Sequence, residues 1–468
     1  MKNLLHILYI CPPYEKQDGC FPPFMTKKYT LNAATAVVIA NMIGTGVFTS
    51  LGFQLLSITD FAAIALLWIV GGVIALCGAF AYSELGAAMP QSGGEYNFLS
   101  KIFHPSVGFL SGWVSATIGF SAPIALSAIT LGKYLGTVFP GLNPSVVGLA
   151  VIISVTLIHS LSHKVGGGFQ TLFTALKVLL IIVFIFCGFF FGGIEHPSFA
   201  ATHQTWKDLF SGPFAISLVY VSFAYSGWNA SAYIAGEVAE PKKNIPLSIL
   251  AGTVIVGLLY VLLNIIFLHT APVKELTVDT STFAPREVAF ISASHIFNAN
   301  IAKLFSLAIS LFLVSTISSM VIAGPRVVHS IAQQFSLFRF FDRTNKYGVP
   351  VMAIWLQTAI ACGILLTGTF DRIITYTTFT LTLFSTLTVL GVLVYRYKNP
   401  GLERPYKTFG YPVTPILYIL VSLWFMWFII KDKTTESLIG IGLVLVGLAV
   451  YFIADSYTKT SKKQLHNN

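Results

Sequence analysis

Twelve long runs of apolar residues follow one another along the chain, and the shorter segments between them hold most of its charged residues. Each run comes close to the ~20 predominantly apolar residues that an α-helix needs to cross a bilayer. The runs lack the strict period-two alternation that is typical of strands in a membrane β-barrel. The pattern therefore predicts twelve membrane-spanning helices, at residues 32–56, 61–83, 107–131, 144–161, 171–193, 213–238, 247–269, 300–323, 350–367, 373–395, 413–430 and 437–453.

The composition excludes several classes of protein. Of the 468 residues, 55% are hydrophobic and only 10% are charged, whereas a soluble globular domain carries about 25% charged residues. A chain this apolar is not a soluble enzyme, a nucleic-acid-binding module or a disordered scaffold. Its five cysteines form no CxxC pair, so neither a zinc site nor a disulfide framework is indicated. We therefore predict an all-α, multi-pass membrane protein.

Lys and Arg are distributed unevenly between the two sides of these runs. Nineteen of the 28 lie in the N-terminal segment or on its side, eight lie on the opposite side, and Lys177 lies inside a run. Loops rich in Lys and Arg remain in the cytoplasm. We therefore expect a protein of the cell (inner) membrane with both termini in the cytoplasm. The net charge of +10 then reflects topology and contact with anionic lipid rather than nucleic acid.

The two ends of the chain are expected to lie outside the membrane core. Lys2 is followed by an apolar stretch at the lower limit of a signal-peptide core, and a signal peptide would place the next basic segment on the wrong side. Met25 would be a natural start. We predict that residues 1–24 are a disordered or misassigned extension and that residues 454–468 form a cytoplasmic tail.

Two of the runs are interrupted near their midpoints. The first contains a glycine pair within residues 43–46, and the sixth contains a polar, glycine-bearing segment at residues 222–229. Glycine lowers helix stability by about 1 kcal/mol relative to alanine, and a break frees backbone groups that lipid cannot satisfy. Interrupted helices at corresponding places in two halves point to a substrate site in an inverted-repeat transporter.

The two breaks offer complementary chemistry. At Ile43 to Gly46, N–H groups at the start of the outer half-helix favour a carboxylate. At Phe223 to Ser226, freed carbonyls can accept hydrogen bonds from an ammonium group. Together they suit an α-amino acid, although the glycines could instead serve only close helix packing. The candidate substrate-binding residues are Ile43, Gly44, Thr45, Gly46, Phe223, Ala224, Tyr225, Ser226, Gly227 and Trp228.

Five segments carry a resemblance to a known family. They are residues 43–48 (IGTGVF), 90–96 (PQSGGEY), 223–229 (FAYSGWN), 240–246 (EPKKNIP) and 404–412 (RPYKTFGYP). In these segments and their order, the chain resembles permeases of the amino acid–polyamine–organocation (APC) superfamily, over about residues 25–453. The resemblance is greatest to bacterial amino acid permeases that are related to the L-type amino acid transporters.

The resemblance implies a leucine-transporter-like fold of twelve helices and transport by alternating access. The transport core would occupy residues 25–395, with inverted repeats at about 32–193 and 213–395 and with helices 1 and 6 unwound at mid-membrane. Residues 396–453 would form a connecting loop and two accessory helices. The first and sixth helices would bind the backbone of the substrate.

Lys177 lies inside the fifth run, and an intramembrane lysine is by default a functional residue. Its long side chain could instead reach the interface, about 10 Å away. In the permeases that the chain resembles, a lysine here occupies the place of a sodium ion and contacts the first and eighth helices. We therefore expect sodium-independent transport, with Lys177 either carrying a proton or acting as a fixed charge.

Polar residues on the eighth run are further coupling candidates. Ser315, Thr316, Ser318 and Ser319 could face Lys177, although Ser and Thr in membrane helices often bond to their own backbone.

Acidic residues bear on specificity. Only Glu84 and Glu237 touch a run, and both lie near its cytoplasmic end, so we expect no carboxylate at mid-membrane. Neutral substrates are therefore favoured over cationic ones. Glu237 could serve as an inner gate or pair with Lys242 or Lys243.

These features predict a secondary active transporter of neutral L-amino acids, working by sodium-independent exchange or proton symport. The alternative is a cationic amino acid or polyamine permease, which a mid-membrane carboxylate would favour. The partners expected are the amino acid, protons in the case of symport, and the lipid bilayer. No catalytic residues, cofactor or metal site are expected. A disulfide-linked partner subunit is not expected either, because residues 132–143 contain no cysteine.

Overall fold

The computed structural model describes residues 29–161, 166–193, 197–278, 280 and 284–466, so the predicted extension at 1–24 lies outside the described residues. Within these ranges the chain is helical and forms no β-strand, and a single β-bridge joins Tyr29 to Val238. The predicted all-α fold is confirmed.

Helical segments occupy all twelve predicted positions, and we number them spans 1 to 12. Ten are long and apolar enough to cross a membrane, span 6 becomes an eleventh when it is joined to the short helix bent by 67° before it, and span 9 is a shorter apolar helix. Their bounds are Leu31–Met42 with Gly46–Gln54 (span 1), Phe61–Ala88 (2), Pro105–Val114 with Ser121–Val138 (3), Pro144–Leu161 (4), Gly166–Phe191 (5), Gly212–Tyr225 with Ala230–Tyr233 (6), Pro241–Thr270 (7), Ala299–Gln334 (8), Val351–Thr367 (9), Phe370–Lys398 (10), Val413–Asp432 (11) and Thr434–His466 (12).

Shorter helices lie between the spans, at Glu95–Ile102, His203–Leu209, Val273–Leu276 and Val288–Ile296. One π-turn, Ser115–Gly119, interrupts span 3, and 3-10 turns form at Ala235–Glu237 and Ser336–Asp342. Span 12 continues to His466, so most of the segment that we assigned to a C-terminal tail is helical.

Polar side chains fix where several spans begin. Asp60 accepts the backbone N–H of Ala62 at 2.8 Å at the start of span 2, and Asn298 accepts that of Ile301 at 3.0 Å at the start of span 8. These caps satisfy N–H groups that have no partner inside a helix.

The packing brings the two interrupted spans together. Span 7 packs along spans 1 and 2, span 8 packs along span 3, and the outer half of span 1 packs against span 6. Spans 11 and 12 lie against spans 2, 3 and 10. We call the face on which span 1 begins the N-side; consecutive spans alternate in direction, so spans 2 and 10 end there.

Candidate functional site

The predicted break in span 1 is present, and protein groups bind the carbonyls that it frees. The helix ends at Met42 and resumes at Gly46. The Met42 carbonyl accepts the Tyr260 hydroxyl at 2.6 Å. The Ile43 carbonyl accepts Lys177 Nζ at 2.8 Å and Thr316 Oγ1 at 3.1 Å. These two carbonyls are therefore occupied.

The donors at the same break belong to the outer half-helix, Gly46–Gln54. The first backbone N–H groups of any α-helix have no partner within it, and the helix dipole makes that end favourable for an anion. The Thr45 hydroxyl, just before this helix, is hydrogen-bonded to Thr130 of span 3.

The break in span 6 has a different geometry. The helix ends at Tyr225, and a single short turn, Ala230–Tyr233, follows. Gly227 has a φ of 94°, and a Cβ on it would lie 2.9 Å from the backbone of Asn41, so only glycine fits between the two spans. The Phe223 carbonyl accepts both the N–H and the hydroxyl of Ser226, at 3.0 and 2.6 Å.

The two broken segments touch each other. A Cβ on Gly46 would lie 2.6 Å from Cα of Ala224, a separation that real side chains do not reach. Gly44 is less crowded, because its nearest neighbour would be the Thr316 methyl group at 3.4 Å. The glycines of span 1 thus allow direct contact between the backbones of spans 1 and 6.

A cavity lies beside the span 6 break. Five of the predicted substrate-binding residues line it: Phe223, Tyr225, Ser226, Gly227 and Trp228. The other five, Ile43, Gly44, Thr45, Gly46 and Ala224, are not among its lining residues. They lie behind the wall because Ala224 covers Gly46, and because Lys177 and Thr316 cover Ile43.

The aromatic residues that flank the break are held by their neighbours. The Tyr225 hydroxyl donates to the Trp68 carbonyl at 3.0 Å, and the Tyr225 ring packs on those of Trp68 and Tyr260. Trp228 meets the Tyr82 ring edge-on at 4.6 Å between centroids.

Lys177 is 1% exposed and connects three spans. Its ammonium group lies between the Ile43 carbonyl of span 1 and the Thr316 hydroxyl of span 8, 2.9 Å from the latter. The side chain therefore points to the span 1 break and not to the membrane interface.

Of the four polar candidates on span 8, Thr316 places its hydroxyl on Lys177. Ser318 lies 2.7 Å from Nε2 of His159 on span 4, and Ser319 donates to the carbonyl of Thr316 on its own helix. Ser315 is buried in the same helix.

Glu237 pairs with a residue that the sequence analysis did not consider. Its carboxylate lies 3.1 Å from Nη2 of Arg326 on span 8, and its backbone carbonyl accepts the N–H of Tyr29. The expected alternative pairing with Lys242 or Lys243 is wrong, because those lysines lie exposed on the first turn of span 7. The ion pair joins the N-side ends of spans 6 and 8.

Glu95 was not among the residues predicted from sequence; it is 2% exposed and lines the cavity. Glu95 Oε1 accepts Asn229 Nδ2 at 3.2 Å, Ser385 Oγ at 3.0 Å and the Tyr82 hydroxyl, and Oε2 accepts Ser111 Oγ at 3.3 Å. Ser385 lies near the midpoint of span 10, so the expectation of no carboxylate at this depth is wrong.

A turn explains how a loop residue reaches this depth. Gly93 and Gly94 have φ of 116° and 53°, and a Cβ on Gly94 would lie 2.8 Å from the Tyr233 ring. The Gly93 N–H donates to the Tyr233 carbonyl at 3.2 Å. This turn directs the helix that starts at Glu95 into the bundle. The glycine pair before an acidic residue, in the segment 90–96, was the available signal.

Glu84, near the N-side end of span 2, is a second buried acid with very different partners. Arg396 donates to both of its oxygens, at 2.8 and 2.6 Å, and Nε of Arg404 lies 3.3 Å away. The Thr408 N–H and hydroxyl donate to it at 2.7 and 2.6 Å. This cluster fastens span 2 to span 10 and to the loop before span 11.

Comparison with known proteins agrees with this architecture. The profile of the family described as amino acid permease matches residues 29–450. The chain belongs to the amino acid permease family. It is 28% identical to the serine/threonine exchanger SteT of Bacillus subtilis (strain 168), over 92% of this chain and 97% of that protein.

Two mouse relatives are similarly distant. The chain is 27% identical to Asc-type amino acid transporter 1, over 92% of this chain and 81% of that protein. It is 28% identical to large neutral amino acids transporter small subunit 2, over 94% and 83% of the two chains. The predicted family is confirmed, and the chain is an amino acid transporter of the multi-pass membrane type rather than an enzyme. In the part of the chain that the structure describes, no three His, Cys, Asp or Glu residues are grouped to hold a metal ion.

Proposed function

We propose that this permease is a secondary active transporter of neutral L-amino acids that works by alternating access, without sodium, as an exchanger or a proton symporter. The observation that carries the proposal is the cavity beside two touching helix breaks. The span 6 break lines the cavity and ends a helix with its last carbonyls, and the N–H end of the outer half of span 1 lies directly behind the cavity wall, covered by Ala224. Carboxylate and ammonium groups of an α-amino acid match these two ends.

The charge around the cavity supports neutral substrates. Of the described residues that line the cavity, Glu95 alone has a side chain of a charged type. Its two oxygens already accept four hydrogen bonds. A carboxylate offers about four acceptor positions. Four neutral donors already hold this carboxylate, three of them on Oε1, and this disfavours a cationic side chain as a further partner. Two relatives, a serine/threonine exchanger and a large neutral amino acids transporter subunit, support the same class by their names.

The position of Lys177 supports transport without sodium. In related folds a sodium ion is coordinated by carbonyls of unwound helices. Here the Lys177 ammonium group lies on one such carbonyl, that of Ile43, and on the Thr316 hydroxyl. A positive charge fixed at this place supplies what a sodium ion would supply, and links spans 1, 5 and 8. We propose coupling roles for Lys177 and for the span 8 residues Ser315, Thr316, Ser318 and Ser319, of which Thr316 contacts Lys177 directly.

The remaining parts of the proposal concern orientation and assembly. We propose that the N-side faces the cytoplasm in the cell membrane, since the side on which the chain begins carries most of the Lys and Arg. The Glu237–Arg326 pair would then form part of an inner gate. The core would comprise residues 25–395 with its two repeats, and residues 396–453 the accessory part. No disulfide-linked partner is proposed, because residues 132–143 contain no cysteine.

A buried carboxyl in the cavity wall is also the observation that favours the alternative, a cationic amino acid or polyamine permease. The two candidates differ in which substrates compete. Uptake of labelled alanine, serine, leucine and arginine into proteoliposomes separates them, with sodium replaced by choline and with or without unlabelled amino acid inside.

We expect internal substrate, an inward proton gradient or both to stimulate uptake of at least one neutral amino acid in choline. Uptake of arginine alone would establish the alternative instead. Uptake only in sodium would contradict the role given to Lys177. Empty liposomes and the Gly46→Leu variant, in which the side chain would collide with Ala224, serve as controls.

A further inference from the structure

A transporter that couples to protons needs a group that binds one where the substrate passes. Two buried ionisable side chains lie near the helix breaks, Lys177 and Glu95. Lys177 does not line the cavity, and its ammonium group is held by Ile43 and Thr316. Glu95 lines the cavity together with two of its partners, Asn229 and Ser385.

The partners of Glu95 come from four different spans. Tyr82 belongs to span 2, Asn229 to the broken segment of span 6, Ser111 to span 3 and Ser385 to span 10. A change at this one carboxyl therefore acts on the wall of the cavity and on four elements at once. In particular it acts on Asn229, which follows Trp228 directly in the break.

All four partners are neutral, and three of them are hydroxyls. A hydroxyl both donates and accepts, so it can donate to a carboxylate and accept from a protonated carboxyl. Asn229 Nδ2 can only donate. When Glu95 gains a proton, its hydroxyl partners can rotate and accept from it. The hydrogen bond from Asn229 becomes weaker, because a neutral carboxyl is a poorer acceptor than a carboxylate. The site is compatible with both charge states, and the two states hold the span 6 break differently.

Other groups around the carboxyl are compatible with a change of charge. The titratable side chains that face it are those of Tyr82 on span 2, Tyr233 on span 6 and Tyr418 on span 11, all neutral at physiological pH. The carboxyl itself is buried, so among the described residues its ionised form is stabilised only by the four neutral donors.

We propose that Glu95 is the proton-binding residue of this permease, and that gain and loss of its proton accompany binding and release of the amino acid at the span 6 break. This inference rests on the proposed function and assigns its coupling ion and the residue that binds it. Lys177 then acts as a fixed charge.

The test compares the pH dependence of alanine uptake in proteoliposomes for the parent protein and three variants. Glu95→Gln keeps the size of the side chain and removes its titration. Glu95→Asp keeps a titratable carboxyl on a shorter side chain. Glu403→Gln removes an exposed acid in the loop after span 10 and is the matched control. Size-exclusion chromatography establishes that each variant is folded.

We expect uptake by the parent and by Glu403→Gln to fall by up to about tenfold per pH unit above the pKa of the coupling group. Glu95→Gln should transport more slowly, at a rate that no longer changes with pH. Glu95→Asp should keep a pH dependence with a displaced midpoint, which serves as the readout if Glu95→Gln does not fold.

Other outcomes overturn the inference. These are parent uptake that is equal at every pH, the same pH dependence in Glu95→Gln as in the parent, or a pH dependence that only Lys177→Gln abolishes. If the parent takes up no amino acid at any pH, the proposed function itself fails, and the inference fails with it. The parent measurement alone distinguishes these two failures.

Discussion

Two buried carboxyl groups, that of Glu84 on span 2 and that of Glu95 in the short helix after it, are held by different chemistry. Two guanidinium groups and Thr408 surround Glu84. Three hydroxyls and one amide surround Glu95. Guanidinium groups only donate, so the Glu84 site accepts only the ionised form. Hydroxyls accommodate either form, so Glu95 can change its charge.

The difference in donors also distinguishes a structural role for Glu84 from the transport role that we propose for Glu95. Glu84 joins span 2 to the loop before span 11, away from the cavity, where a permanent charge pair maintains one arrangement. Glu95 lies in the cavity wall and contacts the span 6 break. A buried acid is therefore not informative by itself; the donors around it indicate whether it serves as a fixed tie or as a group that can titrate.

The largest expected effect is on stability, from the same substitution at the two acids. Glu84→Gln leaves Arg396 and Arg404 without their counter-charge. Removing one partner of a buried ion pair lowers the free energy of unfolding by about 3–5 kcal/mol. We expect a large loss of thermal stability in detergent for Glu84→Gln and a clearly smaller one for Glu95→Gln. Equal losses at the two positions would mean that the Glu95 carboxylate is as fixed as that of Glu84.

The next effect concerns the third buried charge, Lys177. Lys177→Ala leaves the Ile43 carbonyl without its charged donor, and hydrogen bonds to charged groups contribute about 1.5–3 kcal/mol. We expect amino acid uptake to fall by roughly tenfold or more, equally in sodium and in choline. Lys303→Ala, an exposed lysine at the start of span 8, is the matched control. Uptake equal to that of the parent at every pH would remove Lys177 from the coupling mechanism.

A smaller effect is expected from Tyr82→Phe, which removes one neutral donor to Glu95. Because this hydroxyl donates to the carboxylate and stabilises its ionised form, its loss should favour the protonated form. The midpoint of the pH dependence of uptake should then move upward, by up to about one unit. Tyr347→Phe, in an exposed loop, should leave the midpoint in place. A downward shift in Tyr82→Phe would contradict the assignment of the proton to Glu95.

The smallest effect is expected at Glu237, whose pair with Arg326 is accessible to water. The two side chains are 18% and 19% exposed, and ion pairs in contact with water contribute about 0.2–1 kcal/mol. Glu237→Gln should change the rate of exchange by less than about fivefold. The double variant with Arg326→Gln should resemble the single variants. A much larger, non-additive effect would give this pair a greater share in gating.

Hydropathy was sufficient to predict a helical segment at all twelve positions, ten or eleven of which are long and apolar enough to cross a membrane. The glycines at residues 44, 46 and 227 predicted both breaks. A break in a span frees backbone groups that lipid cannot satisfy, so helix-disfavouring residues at mid-span are informative. Glu95 was not predictable from hydropathy. It lies in a polar segment, and only the turn at Gly93 and Gly94 directs it into the bundle.

The orientation of side chains around a helix was equally inaccessible from sequence. Ser315, Thr316, Ser318 and Ser319 all qualified as neighbours of Lys177. Successive residues on a helix point about 100° apart, so the rotation of span 8 decides which one makes contact. In the structure that residue is Thr316, whereas Ser318 faces His159. The partner of Glu237 was missed for the same reason, since it lies on a span remote in sequence.

Proton movement during amino acid uptake tests the account most directly. The measurement uses a pH-sensitive dye trapped in sodium-free proteoliposomes to which alanine is added outside. Glu95 as the proton-binding residue predicts that the lumen acidifies as alanine enters through the parent protein, and that alanine enters through Glu95→Gln without acidification. Alanine entry through the parent with no change of internal pH, or acidification that persists in Glu95→Gln, would contradict it.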